Sequence, residues 1–460
     1  MRIEKEIERA ARRQAALDTE ERKTEVEILS IIETVKKSFD DKTYDFGKLD
    51  TIILNQNDKK RLVKVYTENY SPENILCKCI KQILDRTFKV KYPNRNKSVK
   101  TLFGVISAIK NMSDFTIVKF DFKDYFNSIS SKYVFEKILK HKILDRIESE
   151  LVKDFLESTK YTYAGLCTSN VTAEIIAQNF DETIKKEFMH DGIVFFERYI
   201  DDCILVLNKN IDEQSIKIIL ENICICIFHD KIADVAKRCK TKFNPAKFQY
   251  ISRKTLTKNI STIDYLGYEF YFKIKQNKSI DIQFGITTSK RDKYNIRIDE
   301  LIRLYTDTQS TDYGNLELLR HRISAFTKRS VYTTKRLNST VWKIKGFISN
   351  YGELRYMLGT HLIHNDTNLF LKNMVKDAFG RAGVRVPYFL TSTQGEAAYS
   401  LFENMKRNRT LLFINNIGYD YSSLARLCSK IGINTTTGAV KRRGYGTLVR
   451  DYLIKTKVGY

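Results

Sequence analysis

The sequence predicts an α+β fold flanked by helical segments, and three observations predict it. Short β-prone runs alternate with helical spacing between residues 115 and 271. From Arg2 to about Lys37, charged residues wrap around apolar ones with no proline or glycine. After Ser289 apolar residues again recur every three to four positions. With 460 residues and 42% hydrophobic content, the chain is long enough to bury more than one core.

In chain order, Leu29, Ile32 and Val35 approximate one helical stripe, which predicts a helical arm that is solvated or pairs with a second copy. Lys89 to Lys97 is a basic break that predicts an exposed loop, followed by a helix reaching Ile109. Thr116–Phe122, Ile193–Tyr199, Cys203–Leu207 and Ile263–Phe272 are the expected strands, with a helix over Asp181–Phe188. Three further helices are expected over Ile296–Tyr305, Leu316–Lys328 and Thr340–Tyr351, and Leu424–Ile431 before Gly432 predicts a pair of short helices.

Charge narrows the function. Lys plus Arg total 79 against 55 Asp plus Glu, a net charge of +24, which suits a partner with a phosphate backbone. Residues 1–50 hold 11 basic and 13 acidic side chains, so the excess lies beyond the amino-terminal arm. Residues 406–460 hold 11 basic and 2 acidic ones. Cys77-x-Cys79 and Cys224-x-Cys226 lack zinc-site spacing, so the eight cysteines are expected as reduced thiols in the cytoplasm. The first fifteen residues are strongly charged, and apolar runs such as Asn222 to Phe228 fall far short of the roughly 20 residues that cross a bilayer. Neither a secretion signal nor a membrane partner is expected.

Two apolar runs end in acid. Val194 to Val206 places Asp201 and Asp202 between two strands, and Thr116 to Phe122 delivers Asp121 from a third strand 80 residues upstream. An Asp pair in a hairpin is ordinary turn chemistry. A third carboxylate converging on it is a cation site, because unpaired acids at the ends of buried strands are costly. Phosphoryl transfer to a hydroxyl uses two divalent ions about 3.5–4 Å apart, and carboxylates from adjacent strands can clamp them.

Asp121-Phe122-Lys123-Asp124-Tyr125-Phe126 resembles the first palm motif of reverse transcriptases, and Tyr199-Ile200-Asp201-Asp202 resembles their catalytic hairpin. Ala164 to Asn170 is similar to the family's nucleotide-site loop, Phe243-Asn244-Pro245-Ala246-Lys247 to the loop beside the incoming triphosphate, and Tyr265-Leu266-Gly267-Tyr268 to the hairpin that grips the primer. The motifs fall in the family's order over residues 90–290.

The resemblance implies a right-hand polymerase with fingers and palm. It implies Mg2+, with Mn2+ as a substitute, held by Asp121, Asp201, Asp202 and the carbonyl of Phe122. It also implies nucleotide contacts from Phe126, Arg95, Ser169 and Lys247, with Leu266 and Gly267 at the primer. Asp124 is expected only to begin the next helix. Phe126 stands where the family's aromatic residue excludes a ribose 2′-hydroxyl, so the implied substrates are deoxynucleoside triphosphates.

Ala164, Cys167 and Asn170 depart from the family's loop, and neither a retron signature nor an RNase H or integrase cluster is found. What remains is similar to the abortive-infection and unknown-group defence enzymes of bacteria. That resemblance implies DNA synthesis in antiphage defence, on an RNA template or without a conventional one, with protein priming as one mode. The expected partners are RNA and DNA, a dedicated non-coding RNA among them, and a second copy or an accessory protein. The expected domains are a helical extension over 1–50, fingers and palm over 51–288, thumb-like helices over 289–350 and a basic helical domain over 351–460. The competing readings are a nucleic-acid-binding scaffold with an inactive core and an RNA-synthesising palm enzyme. His361 and His364, three apart, are expected to be a packed or solvated pair.

Overall fold

The first helix, α1 (Arg2–Leu17), turns Ile3, Ile7, Ala10 and Ala11 to one side, and all four are buried where it packs on α3 (Pro72–Phe88). A computed structural model of the protein describes residues 2–17, 23–56, 59–229, 238–307, 313–336, 339–437 and 441–457. The chain divides into two units, residues 1–255 and 256–460.

The helical arm is not solvated. Glu6 is buried in the α1 face and pairs with Arg86 of α3, whose Nη2 lies 2.7 Å from Glu148 Oε1 on the later helix Arg146–Ser158. Helix α2 (Glu25–Asp40) begins on a capping box between Thr24 and Glu27. It buries Ile32 and Val35 but leaves Leu29 exposed, so its inner stripe is narrower than expected.

Strands β1 (Asp50–Gln56) and β2 (Lys59–Val65) form an antiparallel ribbon that the sequence did not announce. Its Ile52, Ile53 and Leu54 are all exposed, so no alternation marks a buried face. Helix α4 (Arg95–Ala108) is capped by Asn94, whose side chain accepts from Lys97 N. The basic loop therefore stops at Asn94 and Arg95 is already helical.

A four-stranded antiparallel sheet centres the first unit, with β3 (Thr116–Asp121), β4 (Ile193–Tyr199), β5 (Asp202–Leu207) and β6 (Gln249–Ser252) in the order β4-β5-β3-β6. Every residue of β3 is buried, as a central strand covered on both faces requires. Between β3 and β4 run α5 (Tyr125–Ser128), α6 (Ser131–Lys137), α7 (Arg146–Ser158) and α8 (Ser169–Glu187). After β5 comes α9 (Glu213–Phe228), which packs on α8. Phe122 joins Phe180, Phe228 and Phe243 in an aromatic cluster with ring centroids 5.2 to 5.7 Å from its own.

The second unit opens with the antiparallel sheet β7 (Ser261–Tyr265), β8 (Tyr268–Ile274) and β9 (Ile280–Ile286), followed by α10 (Thr288–Thr306) and α11 (Tyr313–Thr327). The expected helix over Thr340–Tyr351 is largely a strand. Here β10 (Arg329–Arg336) and β11 (Ser339–Lys345) pair antiparallel, and only α12 (Phe347–Asn350) is helical. Thr340, Val341, Trp342 and Ile344 are β-branched or aromatic, and that preference prevails over the helical spacing.

Helices α13 (Asn365–Arg381), α14 (Tyr388–Thr391), α15 (Thr393–Tyr399) and α16 (Leu401–Lys406) lead to β12 (Thr410–Phe413), which lies parallel to β10. The expected carboxyl-terminal pair is α17 (Tyr421–Lys430) packed on α18 (Tyr445–Lys455). His364 stacks flat on Tyr271, centroids 3.8 Å apart, which makes it a packed residue. Among the described residues no helix is long and apolar enough to cross a membrane.

One buried group gives this unit a pH dependence. His321 is 8% exposed, and its Nδ1 lies 2.8 Å from the Tyr452 hydroxyl. Burial pushes its pKa down to about 4, with Glu317 opposing. Because the folded value lies below the unfolded one, near 6.5, the unfolded chain takes the proton first on acidification. The associated stability, about 3 kcal/mol at most, is present above pH 6.5 and lost as the pH falls toward 4. Urea titrations at pH 7 and pH 5 should show this loss, and His321→Gln should reduce it.

Candidate active site

Asp121 and Asp202 are register partners where β3 and β5 meet, so both side chains leave the same face of the sheet. Asp201 sits in the two-residue turn between Tyr199 and Asp202, which are themselves paired. Its carbonyl accepts from Phe122 N at 3.3 Å, tying the turn to the end of β3. Ile200, the other turn residue, has φ 62. A β-branched residue in the left-handed region is strained, and surrounding structure must hold it there.

Arg198 does much of that holding. Its Nη1 donates to Ile200 O at 2.9 Å, its guanidinium pairs with Glu174 at 2.8 and 3.0 Å, and Nε and Nη2 reach Asp181 at 2.8 and 2.9 Å. Arg198 and Glu174 are both buried, and burial pushes the Asp181 carboxyl above its ordinary value against the pull of Arg198. The network therefore anchors the Ile200-Asp201 turn to α8.

Asp121 is 3% exposed, and its Oδ1 is buried with no hydrogen-bond partner, while Oδ2 pairs with Lys247 Nζ. Lys247 ends the short helical turn Pro245–Lys247 and is half exposed. Asn244 N donates to Asp121 O at 2.9 Å and Lys123 N to Lys242 O at 2.8 Å, bonds in which the Phe122 carbonyl takes no part. Asp202 Oδ1 lies 3.2 Å from Nζ of the buried Lys119. Each of the two facing carboxylates thus has an ammonium group against it.

That arrangement fits a bound divalent cation in donor type. A buried carboxylate oxygen without a partner is costly unless something positive satisfies it. The donor set is hard oxygen, the kind that Mg2+ takes. Among the described residues no three His, Cys, Asp or Glu side chains are gathered as a ready metal cage. The lysines on Asp121 and Asp202 supply the charge compensation instead.

The other expected residues are placed as follows. Phe126 lies in α5 just beyond β3, half-buried beside Tyr125 at 5.5 Å, and its carbonyl accepts from Thr162 Oγ1 at 2.6 Å. Asp124 is the N-cap position of α5 with φ 48. Ser169 opens α8 and is buried, with its hydroxyl donating to Tyr163 O at 2.5 Å. Arg95 heads α4, which packs against β4. Leu266 (φ 52) and Gly267 (φ 86) form the two-residue turn closing β7 and β8 in the second unit.

Lys119, Arg198, Glu174 and Asp181 were not anticipated. Lys119 had one usable signal: two positions before Asp121 on a strand, it shares that residue's face.

Residues 53–270 match the family model described as reverse transcriptase (RNA-dependent DNA polymerase). No curated protein sequence matches the chain. Among solved structures, apo telomerase from Candida tropicalis, truncated from its C-terminal domain, is similar at 12% identity and TM-score 0.35. That alignment covers 55% of this chain and 60% of that one. Telomerase from Candida albicans, in complex with a TWJ fragment of telomeric RNA, is similar at 9% identity and TM-score 0.35, over 83% of this chain and 60% of that one. The corresponding Candida tropicalis complex is similar at 10% identity and TM-score 0.33, over 92% and 68%. The chain thus spans about 60% of the length of the first two structures. Residues 53–270 thus resemble a reverse-transcriptase domain, and the mixed helix and sheet architecture is consistent with a fingers-palm polymerase fold.

Proposed function

We propose that the protein is an RNA-directed DNA polymerase that joins deoxynucleoside triphosphates at Asp121, Asp201 and Asp202, and that it acts in bacterial antiphage defence. The observation that carries the enzymatic part is the register pair Asp121 and Asp202, with Asp201 in the adjoining turn. Asp121, Asp201, Asp202 and the Phe122 carbonyl would hold Mg2+, with Mn2+ as its substitute, whose charge when bound neutralises the phosphoryl oxygens in the transfer. Lys247 and Lys119 offset the charge of the two carboxylates and orient them. Arg198 fixes the turn that carries Asp201. The half exposure of Lys247 beside Asp121 supports its reading as a contact to the incoming triphosphate.

Charge in the second unit supports a nucleic-acid partner. Lys328 to Lys345 holds six basic residues and no acidic one. Burial pushes the Lys328 pKa down to about 8, with Arg409 and Arg320 nearby adding to the effect, and burial and Arg355 lower Arg329. Positive groups crowded in this way favour a phosphate among them. The defence setting rests on the likeness of a compact polymerase core fused to a helical carboxyl-terminal region to the defence enzymes of bacteria. The cytoplasmic setting rests on eight free thiols, which suit a reducing compartment.

The test is incorporation of labelled nucleotides by the purified protein on a primed RNA, with Mg2+ and with Mn2+, offering deoxynucleotides and ribonucleotides separately. Deoxynucleotide incorporation is expected; ribonucleotide incorporation alone would overturn the substrate assignment. Protease treatment of the product would reveal priming on protein. Phe126→Ala should lower the preference for deoxynucleotides on the order of 10- to 100-fold, read as the ratio of the two kcat/KM values.

A further inference from the structure

Cys77, on the inner face of α3, and Cys167, in the loop before α8, bring their sulfurs to 3.4 Å although they are 90 residues apart in the chain. All eight cysteines are free thiols, and among the described residues no other two sulfurs are in contact. The pair is asymmetric. Cys77 is buried while Cys167 is partly exposed, and Thr168 Oγ1 lies 3.7 Å from Cys77 Sγ. The hydrogen bond from Cys77 pulls the Cys167 thiol below its ordinary value, with Lys78 and Lys81 adding to it. Burial pushes Cys77 up. The cysteine with the lowered pKa is thus the partly exposed one, and a buried thiol lies 3.4 Å from its sulfur, the arrangement of an attacking and a resolving cysteine.

We propose that Cys77 and Cys167 are an oxidative modification site at which a peroxide converts the dithiol to a disulfide. The Cys167 thiolate attacks one peroxide oxygen; the O–O bond breaks, leaving a sulfenic acid, and the departing hydroxide takes a proton to become water. The Cys77 sulfur then attacks the sulfenic sulfur; the S–O bond breaks, and that hydroxyl leaves as a second water with the Cys77 proton. Two thiols lose two electrons and one peroxide is reduced to two waters.

The product staples the 163–168 loop to α3. That loop is already pressed onto β2, since Ala164 O accepts from Lys64 N at 2.8 Å. A Cβ added at Gly165 (φ 110) would lie 2.5 Å from Lys64 O. The loop also leads into Ser169 and α8, so the consequence for synthesis rests on the polymerase reading above, whereas disulfide formation does not.

The experiment treats the full-length protein with equimolar hydrogen peroxide, blocks the remaining thiols, digests without reductant and maps the peptides by mass. The expected product is a Cys77–Cys167 cross-link that dithiothreitol reverses, that Cys167→Ser and Cys77→Ala each abolish, and that Cys226→Ser leaves intact. Recovery of both thiols in blocked form, or cross-links only between chains through the exposed Cys226, would overturn the proposal. On the polymerase reading, the oxidised protein should also lose incorporation by roughly tenfold or more, as small misplacements at such sites do, and regain it with dithiothreitol. Inhibition that persists in Cys77→Ala would assign the effect to another thiol and overturn the link to synthesis. A reduced protein inactive from the start would fail the polymerase reading while the peptide map still decided the disulfide.

Discussion

Asp121→Asn is expected to reduce nucleotide incorporation on the order of a thousandfold or more while leaving the protein folded. Asn keeps the volume of a side chain that is 3% exposed. It keeps the oxygen that fits beside Lys247 but removes the charge that Lys247 compensates. Loss of one preorganised charged group at a phosphoryl-transfer centre is worth a factor of this size. Lys247 is half exposed but Asp121 is 3% exposed, so Lys247→Ala should lower stability by leaving a buried carboxylate without its positive partner. Steady-state incorporation together with urea unfolding of Asp121→Asn checks the prediction; a destabilised variant would point to a structural role for the carboxylate.

Arg198→Met is expected to destabilise the first unit by about 3–5 kcal/mol, because it leaves Glu174 and Asp181 without their shared partner in the interior. Burial already raises the Asp181 carboxyl, so the abandoned acid takes up a proton rather than staying charged. Arg198→Lys should recover little, since an ammonium has three donors where the guanidinium makes five bonds in a planar fork. The variant should also lose incorporation where it remains folded, because the strained Ile200 turn is no longer held. Urea unfolding followed by circular dichroism gives the first number, and incorporation well below the transition midpoint gives the second. A variant as stable as the wild type would remove the network from the account.

β3 was legible because it is an apolar run that stops at Asp121, and burial on both faces leaves such a run without competing signals. Ile193–Tyr199 has the bounds expected from sequence, and β3 and β5 differ from expectation by one residue each. Ile263–Phe272, expected as one strand, is two strands joined by the Leu266-Gly267 turn, and that turn was indicated only by the resemblance to the family's hairpin.

What was not legible depends on register or on long-range pairing. Arg198 reads as a polar interruption of a strand until α8 supplies Glu174 and Asp181 from 24 and 17 residues away. The β1–β2 ribbon exposes Ile52, Ile53 and Leu54 alike, so its sequence lacks the two-residue period. Thr340–Tyr351 carried helical spacing by coincidence, and pairing with β10 drew its β-branched residues into a strand. The amino-terminal helix looked like a solvated arm because its inward stripe includes two alanines, which weigh little in an apolar count yet allow close packing on α3.

Titration of Mn2+ followed by the electron paramagnetic resonance of the free ion tests the centre most directly, comparing the wild type with Asp121→Asn/Asp202→Asn. The wild type should bind Mn2+ and the double variant should lose that binding together with incorporation. Equal binding by the two proteins, or deoxynucleotide incorporation by the variant at the wild-type rate, would contradict the assignment of Asp121 and Asp202.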